Sequence, residues 1–170
     1  MFLFLLLTIT SGESRFESEG IKYILNENMT AIIKGTTINQ FDNLVLNSSV
    51  EYAGENYTVY KIASNSFSST IITGNLTLPS SIIYIGDEAF SCSLRGSQHL
   101  IIPDSVVIIG TAAFLNTSID SVTIGDKVEY IGDEAFECSL KGTEHLIIPD
   151  SVVTIGIAAF FYTNIDSVTI

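Results

Sequence analysis

Leu100-Ile-Ile-Pro-Asp-Ser-Val-Val-Ile-Ile-Gly-Thr-Ala-Ala-Phe114 returns almost unchanged from Leu146 to Phe160. Looser copies of the same motif run from Leu76 to Phe90 and from Val122 to Phe136. A motif that recurs at a fixed period of this length is typical of a solenoid, in which successive coils of backbone stack on one another. The sequence therefore predicts a β-dominated solenoid.

The predicted coils are 24, 22, 24 and 22 residues long, so the repeating unit is a 46-residue pair. The longer coils contain the matching segments Leu94–His99 and Leu140–His145, and duplication of the pair is the simplest account. Residues 58–170 are predicted to be repeats that end partway through a coil. The predicted coil starts are Leu76, Leu100, Val122, Leu146 and Val168.

The same sequence features recur at fixed positions within each coil. A Leu/Val-x-Ile/Leu triplet alternates as a short strand does, with its two apolar ends inward, and a proline that cannot donate to a ladder usually ends it. A glycine marks the next corner, where positive φ or close backbone approach favours glycine. An Ala-Phe pair then directs an aromatic ring inward. The rings predicted to form one column are Phe90, Phe114, Phe136 and Phe160.

The chain begins with a short apolar segment. Met1 to Ile9 is too short to span a bilayer, which needs about 20 apolar residues, but it fits the apolar core of a secretory signal peptide. Small residues at Thr10, Gly12 and Ser14 could serve a cleavage site. We therefore predict a signal peptide at residues 1–14.

Residues 15–57 are predicted to form an N-terminal cap and a degenerate first coil. The polar and acidic stretch Ser14–Gly20 is expected to be a linker. Ile21–Leu25 and Met29–Ile33 flank a polar triplet, as the two strands of a hairpin do. Because a solenoid must cover the apolar face of its first coil, this hairpin is the predicted cap. Leu44–Leu46 is expected to be the first strand of the coil type.

Composition and charge narrow the classes of function. The chain has 170 residues, of which 46% are hydrophobic and 15% charged, so it is neither disordered nor fibrous. Its formal net charge of -12 argues against nucleic acid and anionic membrane as partners, because both require a basic surface. No segment after the leader has the length of a membrane helix, so no integral membrane span is expected.

Five Asn-x-Ser/Thr sequons support secretion, since each is a glycan acceptor in a secreted protein. With the leader, they predict an extracellular or cell-surface location. The sequons are at Asn28, Asn47, Asn56, Asn75 and Asn116.

The cysteines are expected to be buried and the histidines to lie at the surface. Cys92 and Cys138 lie two coils apart, about 10 Å at the usual strand spacing, whereas a disulfide requires Cα atoms within about 7 Å. We predict buried free thiols against the phenylalanine column, with intermolecular pairing as the alternative. His99 and His145 are expected at the surface, too far apart to share a metal.

Catalytic and metal-binding patterns do not stand out. The sequence shows no Ser/His/Asp set, phosphate-binding glycine loop or paired carboxylates, so neither enzyme activity nor a cofactor is expected. Four aspartates are interpreted as turn residues whose side chains bond nearby N–H groups. A calcium ladder is the alternative, but one aspartate per corner supplies too few of the six to eight oxygens required. These residues are Asp104, Asp120, Asp150 and Asp166.

Two columns of outward-facing residues are the candidate binding sites. Apolar side chains on an exposed sheet can mark a binding surface, and aromatic residues are enriched in interfaces. The alternative is ordinary cross-strand packing on a solvated face. The first column comprises Thr77, Ile101, Thr123, Ile147 and Thr169. The second comprises Tyr84, Ile108, Tyr130 and Thr154.

The pattern Leu-x-Ile-Pro-x-Ser-Val-x-x-Ile-Gly-x-x-Ala-Phe resembles the BspA-like leucine-rich-repeat proteins, which are surface or secreted proteins of certain bacteria and parasitic protists. The resemblance covers about residues 20–170. It differs at Cys92 and Cys138, which come one residue earlier than the usual family cysteine and precede a longer connection. The resemblance implies leucine-rich-repeat coils of 22–24 residues, adhesion, host-surface or matrix binding, and antigenicity, and it brings no catalytic residues.

These observations predict a secreted or cell-surface adhesion protein that contacts a protein or glycan on a host cell or matrix. The alternative is a structural spacer or coat protein without a specific ligand. The strand Val168–Ile170 leaves an uncapped edge, which predicts self-association through the C-terminal end.

Overall fold

The computed structural model describes residues 14–96 and 98–170. The predicted signal peptide therefore lies outside the described residues, except for Ser14, where the first strand begins.

Short β-strands connected by tight turns make up the described part of the chain. They are β1 (Ser14–Ser18), β2 (Ile21–Leu25), β3 (Thr30–Thr36), β4 (Gln40–Phe41), β5 (Leu44–Val45), β6 (Ser49–Tyr52), β7 (Glu55–Ile62), β8 (Ile71–Ile72), β9 (Leu76–Thr77), β10 (Tyr84–Ile85), β11 (His99–Ile101), β12 (Ile108–Ile109), β13 (Ser121–Thr123), β14 (Tyr130–Ile131), β15 (His145–Ile147), β16 (Thr154–Ile155) and β17 (Ser167–Thr169).

The N-terminal cap is an antiparallel meander of β1, β2 and β3. The predicted hairpin is confirmed as β2 and β3, but the predicted linker at Ser14–Gly20 is wrong, because most of it forms β1. Phe16 explains the difference. This ring is buried and packs against Tyr23 and Tyr52, with centroids 5.2 and 5.1 Å away, so one apolar side chain fixes an otherwise polar edge strand.

One continuous sheet joins the cap to the repeats. β3 pairs in parallel with β7, and the parallel ladder continues through β10, β12, β14 and β16. The first half of β7 also forms a hairpin with β6 around Ala53 and Gly54. The inward isoleucines of this sheet stack in register at Ile62, Ile85, Ile109, Ile131 and Ile155.

The second side of the solenoid carries strand pairs in place of an unbroken sheet. β5 pairs with β9, β11 with β13, and β15 with β17. The gaps, between β9 and β11 and between β13 and β15, coincide with the two 24-residue coils. At the first gap, the Leu76 N–H donates to Gln98 Oε1 at 2.8 Å, and Gln98 Nε2 donates to the Gly74 carbonyl at 3.1 Å.

A single column of phenylalanine rings runs through the largely aliphatic core, as the motif predicted. Neighbouring centroids are 5.1, 5.4, 5.3 and 5.5 Å apart, and the planes differ by 9° or less. The last ring is half-buried and the others are fully buried. The column comprises Phe67, Phe90, Phe114, Phe136 and Phe160.

The corner glycines permit close approach between coils and do not adopt a left-handed conformation. A Cβ on Gly110 would lie 2.6 Å from Asp87 N and 2.7 Å from Gly86 C. Positive φ values fall instead on non-glycine residues at two equivalent positions of each regular coil: Glu88 and Cys92, Ala112 and Asn116, Glu134 and Cys138, and Ala158 and Tyr162. Leu140 also has a positive φ, of 53°.

Candidate binding surfaces

The first predicted column lies on the outer face of the paired strands. Val45 extends it, because it pairs with Thr77 across β5 and β9. Val45 is the middle residue of a Leu-Val-Leu triplet that matches the other strand triplets, so its place in the column could have been predicted from the sequence. Val45, Ile101 and Ile147 are 62%, 60% and 62% exposed. We call the full set the threonine–isoleucine column: Val45, Thr77, Ile101, Thr123, Ile147 and Thr169.

Every residue of the threonine–isoleucine column is β-branched. Such side chains have restricted χ1 rotamers, so the column loses little conformational entropy when a ligand orders it. Six strands at the usual spacing give it a length of about 24 Å. It is therefore an elongated, pre-ordered surface without charge.

Two histidines border this column and tie neighbouring strands together. His99 Nδ1 lies 2.6 Å from Ser121 Oγ, and its Nε2 lies 2.9 Å from Thr123 Oγ1. The duplicated His145 makes the same pair of contacts with Ser167 and Thr169, at 2.8 and 3.1 Å. These histidines lie at the surface, as the sequence predicted, but their bracing role could not be predicted because it depends on the parallel register.

The second predicted column lies on the long sheet, where Tyr84, Ile108, Tyr130 and Thr154 pair in register. Tyr84 and Ile108 are half-buried, whereas Tyr130 is exposed. Lys61 Nζ lies 4.3 Å from the centroid of the Tyr84 ring, within cation–π range. Burial, followed by the charge of Asp87 and the proximity of Tyr130, raises the pKa of Tyr84. This surface is less exposed than the threonine–isoleucine column.

A cleft of about 330 Å³ lies beside the N-terminal cap. Its lining includes Glu19, Glu51, Asn47, Tyr23 and Phe41. Burial, followed by the charge of Glu19, raises the pKa of Tyr23 to about 12. This cleft could not be predicted from the sequence, because its lining residues come from separate strands and turns without a shared motif.

The five sequon asparagines are all exposed. At the first sequon, Thr30 Oγ1 donates to Asn28 Oδ1 at 2.6 Å. Asn47 lines the cleft described above, and Asn116 Nδ2 contacts Cys92 Sγ at 3.5 Å. The geometry therefore leaves every predicted acceptor side chain accessible.

The two cysteines are free thiols, but they are half-buried and not buried as expected. The reason is local, because both occupy a left-handed corner position with φ of 56° and 57°, outside the phenylalanine column. Asn116 occupies the same corner of the coil between them. Cys92 and Cys138 therefore belong to the outer surface of the solenoid.

Carboxylates at the corners bond backbone groups of the following coil. Asp87 Oδ1 accepts from the Thr111 N–H at 2.9 Å, and Asp133 Oδ1 accepts from the Ile157 N–H at 2.7 Å. Asp104 Oδ1 similarly accepts from the Asp126 N–H at 3.2 Å.

The part of the chain that the structure describes contains no group of three or more His, Cys, Asp or Glu side chains placed to hold a metal ion. Within residues 14–96 and 98–170, the structure contains no helix with the length and hydropathy of a membrane span.

Comparison with solved structures identifies several related solenoids. A leucine-rich repeat protein from Bacteroides ovatus matches with a TM-score of 0.75 and 25% identity, over 91% of this chain and 41% of its own. One from Bacteroides capillosus matches with a TM-score of 0.56 and 23% identity, over 91% and 96% of the two chains. The pneumococcal vaccine antigen PcpA matches with a TM-score of 0.64 and 18% identity, over 93% of this chain and 51% of its own.

The chain thus spans about half or less of two of these proteins. No curated protein matches the sequence significantly. The model of the BspA type leucine rich repeat region, however, matches residues 60–170 in six copies. The motif, the stacked phenylalanine column and this match agree, and the chain belongs to the BspA-type leucine-rich-repeat family.

Proposed function

We propose that this chain is a secreted or cell-surface adhesion protein whose repeat surface contacts a protein or glycan on a host cell or in the matrix. The observation that carries the proposal is the threonine–isoleucine column. Val45, Ile101 and Ile147 are 60–62% exposed, although each stands on a regular, otherwise well-packed strand. Exposed apolar side chains that recur along one face of a sheet can mark an interaction site.

The energetics of the column favour binding. Full burial of an aliphatic side chain contributes about 1.5–3 kcal/mol, so three partly exposed ones supply several kcal/mol to an interface. Stiff β-branched side chains forfeit less entropy than long flexible ones. The hydroxyls of Thr123 and Thr169 are already engaged by His99 and His145, so we expect shape and apolar contact to dominate affinity.

Charge and chemistry limit the ligand class. The chain carries 19 acidic and 7 basic residues, which disfavours nucleic acid and anionic lipid surfaces. A neutral glycan or an apolar protein patch fits the uncharged column. We propose a binding role without catalysis and without a cofactor.

Several features support placement outside the cell. The apolar leader at residues 1–14 and the five exposed sequons fit a secreted glycoprotein. PcpA is a pneumococcal vaccine antigen, but at 18% identity it shares the fold alone.

The alternative is a spacer or coat protein, which the regular stacking of the phenylalanine rings and the histidine braces would also suit. A matched pair of variants separates the two functions. Ile101→Lys with Ile147→Lys charges the column, whereas Ser64→Lys with Ser80→Lys makes the same charge change at exposed positions outside both columns.

The full chain is tested against arrays of neutral glycans and matrix proteins, followed by affinity measurement on any ligand found. The adhesion proposal expects the column variant to lose about tenfold or more in affinity and the serine variant to bind normally. Equal binding by both variants would assign the interaction to another surface. Absence of binding to every arrayed ligand, with the chain folded, would favour the spacer.

A matching variant tests the second column. Tyr84→Lys with Tyr130→Lys adds charge to the outer face of the long sheet. Its ligand affinity, compared with that of Ser64→Lys with Ser80→Lys, shows whether that face contributes to binding.

A further inference from the structure

The basic residues of this acidic chain are concentrated in the N-terminal cap. The chain has 19 acidic and seven basic residues, and three of the seven line a single cleft of about 270 Å³ on the cap. We call it the basic cleft; its bases are Arg15, Lys22 and Lys34, and Glu17 is the one acidic residue of its lining. The balance of charge in the cleft is therefore the reverse of that of the whole chain.

Strand pairing brings the three bases together on the outer face of the long sheet. Arg15 and Lys22 alternate with the buried Phe16 and Tyr23, so they point away from the core. The register between β2 and β3 shifts after Lys22, and this β-bulge leaves Lys34 as the extra residue. Bulges redirect side chains, and this one places a second exposed lysine beside the first.

The acidic residue of the cleft does not neutralise the lysines. Glu17 lies opposite Lys22 in the antiparallel pair, but its Oε1 accepts a hydrogen bond from Thr37 Oγ1 at 2.7 Å. Among residues 14–96 and 98–170, neither Lys22 nor Lys34 forms a salt bridge. Because like charges on neighbouring strands repel each other, this arrangement favours an anion in the cleft.

One row of paired residues leads from the basic cleft across the sheet to two tyrosines. Tyr84 and Tyr130 are two coils apart, about 10 Å at the usual strand spacing. Sugar rings stack their C–H faces on aromatic side chains, and a disaccharide unit spans such a distance. The row therefore suits a saccharide chain that extends from the cleft. It runs through Arg15, Ile24, Ile32, Lys61, Tyr84 and, two strands further, Tyr130.

We propose that the basic cleft binds the terminal acidic sugar of an oligosaccharide whose next residues are neutral and lie along this row. The lysines supply charge-assisted N–H donors to the carboxylate of that sugar. The carboxylate of Glu17 accepts hydrogen bonds from sugar hydroxyls, which a simple anion lacks. Beyond the cleft the surface is acidic again, since the charge of Asp87 acts on Tyr84, so neutral sugars are favoured there.

A single terminal acid suits this protein better than a polyanion. At physiological salt, charges act over about 8 Å, so the nearby bases govern a carboxylate inside the cleft. A nucleic acid, a polysulfated glycan or an acidic membrane would extend onto the surrounding acidic surface and be repelled. The cleft is also small, because sites for drug-sized ligands begin at about 300 Å³. This site is separate from the threonine–isoleucine column and does not rest on the role proposed for that column.

A matched pair of variants tests the site in the full chain. Lys22→Gln with Lys34→Gln removes two charges from the cleft, whereas Arg95→Gln with Lys127→Gln makes the same charge change at exposed positions outside it. Fluorescence anisotropy measures binding to a neutral hexasaccharide that ends in one sialic acid and to the same hexasaccharide without the acidic sugar. A heparin hexasaccharide and hexaglutamate are the polyanionic probes. Circular dichroism checks that both variants are folded.

We expect the native chain to bind the sialylated probe about tenfold or more tightly than the neutral one, and the cleft variant to lose this gain. The control variant should bind normally, and affinity should fall as salt concentration rises. Equal binding of the two hexasaccharides, binding of neither, or unchanged binding by the cleft variant overturns the proposal. Tighter binding of heparin or hexaglutamate that is lost in the cleft variant also overturns it and assigns the cleft to a polyanion. Ile101→Lys with Ile147→Lys should leave this binding unchanged, so the site and the column fail separately.

Discussion

The ring of Phe90 lies parallel to the ring of Phe114, with 4° between the planes and 5.4 Å between the centroids. The two residues are 24 positions apart in the sequence and one coil apart in space. Each ring therefore covers the face of the next, and neither coil could bury its phenylalanine alone. This dependence on neighbours explains why the repeats stabilise one another along the whole stack.

Phe114→Ala should strongly destabilise the protein, because it removes a ring that contacts neighbours on both sides. Replacement of a buried phenylalanine by alanine typically costs about 3–5 kcal/mol, and urea denaturation monitored by circular dichroism measures it. Phe160→Ala is the matched control. Its ring is half-buried and stacks on one side only, so it should cost clearly less. Equal losses would contradict a continuous column.

Gly110→Ala should disrupt the contact between two coils. The added Cβ would lie 2.5 Å from Asp87 Oδ1 and 2.6 Å from Asp87 N, closer than real Cβ atoms approach. We expect a loss of about 1–3 kcal/mol in unfolding free energy. Gly142→Ala is the control, because its nearest neighbour, Asp120 Cβ, is 3.4 Å away. Thermal melting of both variants tests the prediction, and a similar small effect for both would argue against close approach at Gly110.

The regular part of the fold could be predicted from sequence, because each coil repeats the same strand, corner glycine and inward phenylalanine. Strand β1 could not be predicted in the same way. Its sequence is polar, and the deciding contact joins Phe16 to Tyr23 and Tyr52, which lie in different segments. The role of the corner glycines could not be predicted either. Both a positive φ and a close approach between backbones favour glycine, so the sequence alone does not show which of the two applies.

The candidate surfaces could likewise be predicted from the sequence only in part. The outward residue of each strand triplet followed from alternation, so the threonine–isoleucine column was predicted except for Val45. Parallel register determines that His99 reaches Ser121 and Thr123, and a single sequence does not specify register between coils.

Gln98→Glu should destabilise the gap between β9 and β11. The native amide both accepts from the Leu76 N–H and donates to the Gly74 carbonyl, and its side chain is buried. An ionised carboxylate retains the first bond but places an acceptor against the second carbonyl, so we expect a loss of about 1–3 kcal/mol at neutral pH. Protonation supplies a donor, and part of the loss should therefore be recovered in mildly acidic solution. Denaturation at neutral and mildly acidic pH measures this recovery. Gln98→Ala, whose stability acid cannot restore, is the control.

The raised pKa of Tyr23 predicts that the protein loses stability in alkaline solution. Burial and then the charge of Glu19 raise its pKa to about 12, against about 10 for an exposed tyrosine. Because the folded pKa is the higher one, its contribution is complete below pH 10 and is lost as the pH rises from 10 to 12, by up to about 2 kcal/mol. Tyr23→Phe should reduce this decline while leaving the remaining alkaline titration intact. Urea titrations at several pH values measure the difference, and identical slopes would contradict the assignment.

Cys92 and Cys138 should remain unbridged to each other even under oxidising conditions. They occupy the same corner two coils apart, about 10 Å at the usual strand spacing, and Asn116 of the intervening coil lies between them. Both are half-buried free thiols, so each should react with iodoacetamide in the folded protein. Intact mass should therefore show two adducts, and Cys92→Ser should reduce this to one. Peptide mapping without reductant that found a Cys92–Cys138 bridge would contradict the coil register, because the bridge would require the two corners to approach within about 7 Å.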